Sequence, residues 1–499
     1  MLAVLDPPPT HRDDDARHSA VLAVTCLALA TVTAAMASLN VALPSIASDT
    51  HATQTSLSWV IDAYSLVFAS LLLVGGAVGD RFGRRRALLI GLLVFGCGSA
   101  LAPYTSSVHA LIGLRAVLGV GAALVMPATL STITSTFPRE RRAAAVSVWA
   151  AVAGASAIAG LLTSGLLLQV WSWRSVFALN VVLAVLAALG TARFVPDSAD
   201  QDAPRIDVVG ATISVIGLGA LVYSIIEAPD RGWGSAWTLL GIAVGLLAIA
   251  AFVAWELHTA DPLLDVRLFR QPAFAAGTLS ICLQFFGFFG FVFVAMQYLQ
   301  LVRGDSALTA AVSMLPIGAV MMPCSRLVPV LITRVGARTC CVSGLLLLTA
   351  GLLTLSRLNQ TSSYWLVLAG LIPLGAGMGL AMTPATTAVT DSLPPALQGV
   401  GSAVNDLSRE LGGALGIAVL GSLLSSTYQS HLTLPGVPTA AADQARSSLG
   451  VAVHLGGPVL AHAQSAFVDG MRVAILGAAL VTFAAACAVA VLLRPHPRP

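Results

Sequence analysis

Gly76-Ala77-Val78-Gly79-Asp80-Arg81-Phe82-Gly83-Arg84-Arg85-Arg86 sets one acid, four arginines and three glycines in a single short connection between two long apolar runs. A turn this tight and basic suits a hinge between two membrane helices. Glycine allows close backbone approach and positive φ, and clustered arginine holds a loop on the cytoplasmic side. A turn that served topology alone would need only the arginines. The register of Gly76, Asp80 and Gly83 asks for a further role.

The rest of the chain fits a membrane setting. Of its 499 residues 57% are hydrophobic and 10% charged, and the mean hydropathy is +0.87. A soluble domain has no use for so much apolar surface, and many stretches reach the roughly 20 apolar residues that span a bilayer. A net charge of +3, with every basic residue an arginine and the arginines dispersed over short loops, offers no nucleic-acid surface. The seven cysteines lie in apolar runs without C-x-x-C spacing, so they read as small packing residues rather than a disulfide frame or metal site.

Splitting the chain at charged and Pro/Gly punctuation predicts fourteen spans. They fall near 20–43, 57–79, 87–104, 108–130, 143–168, 175–194, 208–227, 237–256, 274–301, 307–332, 339–356, 363–390, 400–425 and 471–493. The first run exceeds a signal-peptide core in length and opens a series, so it is expected to be retained. Connections on the side of the two tails hold seventeen arginines against six on the other, which predicts cytoplasmic termini. Residues 1–19, with Pro7-Pro8-Pro9 and Asp13-Asp14-Asp15, are expected to form a polar, disordered tail, and 494–499 a second cytoplasmic tail. Residues 426–470 are expected to be a long external loop whose His431, His454 and His462 are solvated rather than metal-bound.

Pro329-Val-Leu-Ile-Thr333-Arg334-Val-Gly336-Ala-Arg338 echoes the spacing of the first basic turn, with Thr for Asp. It follows the tenth span, so a second half begins near the ninth. The expected fold is all-α: a six-helix bundle over 20–194, two inserted helices within 195–273, and a second six-helix bundle over 274–493. Duplicated halves are the usual build of secondary transporters, with the substrate path between them.

The G-x-x-x-D-R-x-G-R-R turn resembles the signature loop of the major facilitator superfamily, and further motifs narrow the likeness. Asn40-Val-Ala-Leu-Pro44, Trp59-Val-Ile-Asp62-Ala-Tyr64, Arg115 with Gly119 and Gly121, and Trp173-Arg174-x-x-Phe177-x-x-Asn180 resemble its fourteen-span drug:proton antiporters, which include quaternary-ammonium exporters. So do Gly399-Val-Gly-Ser-Ala-Val-Asn405-Asp406 and Ala466-Phe-Val-Asp469-Gly-Met-Arg472. The sequence departs from the pattern at Ala35, where the family often has Asp, at Leu118 for Gln, and at Leu161 for the proline of the fifth-span antiporter motif. The resemblance implies proton-coupled drug export without a cofactor, driven by the proton gradient.

Ionisable groups inside the bilayer are costly and therefore functional candidates. Asp62, in the outer third of the second span, is expected to exchange a proton for a cationic substrate; a structural reading makes it a helix-terminal acid steadied by the macrodipole. Asp406 and Glu410 share one face of the thirteenth span, beside Arg409, and two such acids repel unless a proton or cation intervenes. The alternative there is a wet salt-bridge cluster. Arg115 keeps its charge and stands to tune a nearby carboxylate, or else to bind backbone carbonyls. Gly76, Asp80, Arg81, Gly83 and Arg84 form a candidate conformational latch. Gln284, Phe285, Phe288 and Phe289, with Trp59 and Tyr64, are candidate pocket residues, since aromatic faces suit planar lipophilic cations; lipid-facing packing is the plainer reading of any one ring.

The sequence holds no H-E-x-x-H, Walker A or G-x-S-x-G block, so no enzyme is expected. Gly304-Asp305-Ser306 falls where the tenth span begins, and Ser306 is read as a helix cap. The expectation is an inner-membrane exporter of lipophilic drugs and dyes, with protons, small molecules and the lipid bilayer as partners and no nucleic acid. A dedicated natural-product exporter and a non-transporting membrane sensor are the alternatives.

Overall fold

The computed structural model describes residues 11–199, 206–393, 398–434 and 437–493, and among these it is helical without a strand. Fourteen helices are long and apolar enough to cross a membrane. They are α1 (Arg17–Thr50), α2 (Gln54–Phe82), α3 (Arg84–Tyr104), α4 (Val108–Thr136), α5 (Ala144–Val170), α6 (Arg174–Phe194) and α7 (Val208–Arg231). The others are α8 (Ala236–His258), α9 (Pro272–Val302), α10 (Ala307–Val335), α11 (Ala337–Leu355), α12 (Tyr364–Asp391), α13 (Val400–His431) and α14 (Gly457–Leu492). In hydrocarbon every backbone group must be bonded within its own segment, and the helix does this without a partner.

Two sequence expectations need correction. The first helix already begins at His11, so the Asp13-Asp14-Asp15 run is helical rather than disordered; residues 1–10 and 494–499 lie outside the described residues. The long loop at 426–470 also shrinks. Helix α13 runs on to His431, α14 starts at Gly457, and the short helices Thr439–Ser447 and Leu449–Ala452 fill much of the interval. Polar residues such as His462, Gln464 and Asp469 masked this part of α14. They sit on a helix end that continues past the apolar layer, where Gln464 donates to the Leu301 carbonyl at 2.9 Å.

The two basic turns are built alike. Gly83 (φ 108°) and Gly336 (φ 86°) each close a helix in a conformation that a side chain would strain, and each donates its N–H four residues back, to Gly79 and Ile332. The likeness extends to packing. Helices α2–α4, α1–α5, α3–α4, α3–α6 and α1–α6 pack together, and the same pairs recur eight helices later as α10–α12, α9–α13, α11–α12, α11–α14 and α9–α14. Small residues set these contacts. A Cβ on Gly412 or Gly416 of α13 would lie 2.0 Å from the Cys282 or 2.2 Å from the Phe286 carbonyl oxygen of α9. In a membrane, close backbone approach of this kind replaces the hydrophobic force between helices.

Helix α7 lies against both α2 and α13, while α8 packs on α7 and turns Trp237, Leu240 and Leu247 outward. The first and last six helices meet at the face opposite the basic turns. There Gln300 donates to the Val41 carbonyl at 3.0 Å, Ser448 to the Ala52 carbonyl at 2.9 Å, and Gly421 rests on Ser58. These hydrogen bonds between the two sets both lie at that face.

Candidate functional site

Helices α2 and α13 face each other across the seam, and both carry buried acids. Asp62 has no exposed surface, and neither of its carboxylate oxygens has a hydrogen-bond partner. Ser65, one turn on, is equally buried and its hydroxyl equally unpaired. The macrodipole reading of Asp62 finds no support in the capping geometry, since Thr53 accepts from the Ser56 N–H and caps α2 instead. An unpaired charge in such a place costs several kcal/mol. An acid kept there binds a proton or waits for a cation.

Arg115 is 1% exposed, and it does not reach Asp62. Its Nε donates to the Val60 carbonyl at 2.9 Å, and its guanidinium stacks 4.4 Å from the centre of the Tyr64 ring. Tyr64 in turn donates from Oη to the Val32 carbonyl at 3.2 Å, which ties α2 to α1. One Arg115 nitrogen, Nη2, remains buried and unpaired. The structural and functional readings therefore coexist in one side chain: one nitrogen anchors backbone while another is free.

Across the seam Glu410 is 6% exposed, with Oε2 unpaired. It lies within electrostatic reach of Tyr64 on the facing helix as well as of Asp406 and Arg409 on its own. Asp406 is paired with Arg409 at 3.6 Å, and Arg409 stacks 4.9 Å from the Phe285 ring centre. The Ser58–Gly421 contact aligns α2 with α13. At 1.5 Å per residue, this register sets Glu410 about 10 Å nearer the basic face than Asp62. The two unpaired acids thus stand at two depths.

The aromatic candidates divide. Phe285, Phe288 and Phe289 form a cluster with ring centres 5.4–6.4 Å apart, and Phe285 shares its face with Arg409. Gln284 is fully buried; its amide donates to Ser280 at 3.2 Å and its Oε1 has no partner. Trp59 turns away from Asp62 toward α7, where its indole donates to Glu227 at 2.9 Å and stacks near Tyr223. In the basic turn Arg84 bonds Asp80 at 3.0 Å, and both belong to the N-terminal bundle. Gly76 touches Pro127 only at ordinary distance, whereas the neighbouring Gly75 would place a Cβ 2.0 Å from the Ala123 carbonyl. At this end of α2 the close contact with α4 thus belongs to a residue the basic-turn motif does not single out.

Sequence reasoning missed the α7 seam. Trp59–Glu227, Gln429–Asp230 (3.0 Å) and Trp233–Ser426 (2.9 Å) tie α7 and its following turn to both α2 and α13. The signal was present in Tyr223, Glu227 and Arg231, spaced four apart and so on one face of α7. Buried polar atoms without partners point the same way. They recur at Asn40, Thr55, Asp62, Arg115, Gln284, Gln297 and Glu410, on α1, α2, α4, α9 and α13. Folded proteins leave few such groups; others lie on outer helices, at Arg85 and Ser99 of α3 and Glu256 of α8, so the seam is a candidate site chiefly because it holds the two unpaired acids.

Fourteen spans in two like-packed bundles, with unpaired acids on facing helices, define the architecture of a secondary transporter. The chain belongs to the Major Facilitator Superfamily, whose pattern matches residues 25–417. It is 34% identical over 456 residues to the multidrug resistance protein Stp of Mycobacterium tuberculosis, covering 88% of this chain and 85% of that one. It is 35% identical to the multidrug efflux pump LfrA of Mycolicibacterium smegmatis, covering 95% of both chains. Among solved structures, a bacterial homologue of the lysosomal transporter Spinster in an inward-facing, unoccupied conformation aligns with a TM-score of 0.68 at 16% identity, over 97% of this chain and 98% of that one.

Proposed function

We propose that this protein exports lipophilic cationic or aromatic drugs and dyes across a bacterial cytoplasmic membrane in exchange for protons, with both termini in the cytoplasm. The observation that carries the reading is the pair of buried acids, Asp62 and Glu410, each with an unpaired oxygen on helices that face the seam. Names of relatives at 34–35% identity, a multidrug resistance protein and a multidrug efflux pump, support the substrate class.

The mechanism is alternating access. The bundles touch at the face opposite the basic turns, which this reading makes external, so substrate enters from the basic, cytoplasmic side. Glu410, the acid nearer that side, meets an incoming cation first, with Phe285, Phe288 and Phe289 beside it. The electron-rich faces of these rings attract such a substrate, worth about 0.5–2 kcal/mol per contact, and Arg409 must yield the Phe285 face to it. Asp62 lies deeper, near the closed external end, where a proton arriving from outside displaces the substrate once that end opens. Each carboxylate holds a proton or a cation, and this mutual exclusion couples the two flows. Asp80, Arg81 and Arg84, with Gly76 and Gly83 at the turn, latch the bundles when the cytoplasmic side closes.

Ethidium flux into proteoliposomes of the purified protein tests the reading. Dye should accumulate on the acidic side of an imposed pH gradient, and a protonophore should abolish the accumulation. Gradient-independent leakage, or no movement of ethidium and several unrelated dyes by well-folded protein, would move the reading to a dedicated natural-product exporter.

A further inference from the structure

Three arginines that transport does not use converge at the basic face. Arg17 lies in the second turn of the first helix, Arg85 in the first turn of α3, and Arg193 in the last turn of α6; together they line a cavity of about 490 Å³. Among the described residues, no carboxylate pairs with any of them. Arg85 spends one nitrogen on the Ala192 carbonyl, and its Nε is buried without a partner. The nearest acid in the chain beyond α6, Asp197, turns its Oδ1 toward the Gly83 turn. Helix α3 begins on Gly83 with no side-chain cap and with three arginines in its first turn, an excess of positive charge at a helix terminus that favours an anion.

We infer that this cavity binds the phosphate headgroup of an anionic phospholipid from the surrounding leaflet. Position and lining select a lipid over a free anion. Ala20, Phe194 and Pro196 complete the walls, and the cavity sits at the membrane-water border where helix ends meet headgroups. Above it Ile90 and Leu93 of α3, with Leu186 and Leu189 of α6, present side chains 51–64% exposed, an apolar lane for the acyl chains. Basic pockets between helices on the cytoplasmic side are the usual chemistry of anionic headgroup recognition. A headgroup held here bridges α1, α3 and α6 at the foot of the N-terminal bundle.

Native mass spectrometry of the detergent-purified full chain, titrated with phosphatidylglycerol or phosphatidylcholine, tests the inference. Wild-type protein should retain phosphatidylglycerol in preference to phosphatidylcholine, and added sodium chloride should weaken the binding. Each arginine near an anionic headgroup is worth about a fivefold factor, so Arg17→Gln/Arg193→Gln should weaken it roughly thirtyfold. Arg17→Lys/Arg193→Lys, which keeps both charges, should retain most of it. Arg270→Gln, a basic-face arginine outside the cavity, should leave it unchanged. Should the double glutamine variant misfold, the salt dependence and the lysine variant still decide. Unaltered phosphatidylglycerol binding by a folded double glutamine variant, salt-insensitive binding, or full displacement by equimolar inorganic phosphate would each overturn the proposal.

Discussion

Asp62 and Glu410 differ in their neighbours, and this difference makes them separable. Asp62 has no charged partner and no bond to lose, so Asp62→Asn changes little but the proton site. The variant should express and melt like wild type while gradient-driven dye accumulation falls to background; normal accumulation would remove Asp62 from the mechanism. Glu410 has Arg409 and Asp406 beside it on α13. Glu410→Gln should lower the apparent affinity for cationic dyes more than for neutral ones, read as a change in half-saturating concentration. Tyr64 and Arg115 form one unit with the backbone of α1 and α2. Arg115→Lys keeps the charge but loses the planar stack and the fork of donors, so thermal stability and coupled transport should fall together. These two acids were legible as candidates because intramembrane charges are rare. Their depths and lack of partners were not, since those depend on how α2 meets α13.

Helices here are held by close backbone contact, and glycine positions show it with opposite signs. Gly416→Ala puts a methyl against the Phe286 carbonyl and forces α9 and α13 apart, an overpacking cost of about 1–3 kcal/mol or more. Gly154, in α5, has open space around its absent Cβ, so Gly154→Ala should be neutral or stabilising by up to about 1 kcal/mol through helix propensity. Melting curves of the two variants in the same detergent check both signs. Helix α7 makes another prediction. It bonds α2 through Trp59–Glu227 and α13 through Ser422, Ser426 and Gln429, all near the face where the bundles now touch. Separation of α2 from α13 at that face must break one set. A hydrogen bond to a charged group is worth about 1.5–3 kcal/mol, and about 1.4 kcal/mol is a tenfold population shift. Trp59→Phe should therefore favour the externally open state about tenfold, seen as faster external thiol labelling of Thr55→Cys in a chain otherwise free of cysteine.

At the scale of the molecule, the hydrogen bonds that join the bundles lie toward one face, so alternating access requires the other to close when this one opens. Spin labels at Ser135 on α4 and Asp391 on α12, both near the basic face, should approach each other under conditions that favour the external opening. A distance unchanged between acidic and alkaline pH, with and without dye, would mean that the bundles do not rock. The proposed latch residues bear on the same motion. Asp80 and Arg84 are bonded to each other within one bundle here, the arrangement expected while the cytoplasmic side stands open.

What the amino-acid sequence determined alone were the properties that a bilayer reads directly: fourteen apolar segments, the charge asymmetry of their connections, the repeated basic turn and the few ionisable groups between. Each depends on local transfer free energy or on a backbone conformation that one glycine permits, so no long-range information is needed. Tertiary structure decided the rest. It showed that the two turns head bundles with the same five helix pairings, that Trp59 serves α7 rather than the acid three residues away, and that Arg115 reaches a carbonyl and a ring instead of Asp62. It also extended α14 back to Gly457, through polar residues that sequence hydropathy assigns to a loop. The physical reason is common to all of these. Side-chain direction across a seam depends on helix rotation and register, which are set by packing against segments hundreds of residues distant.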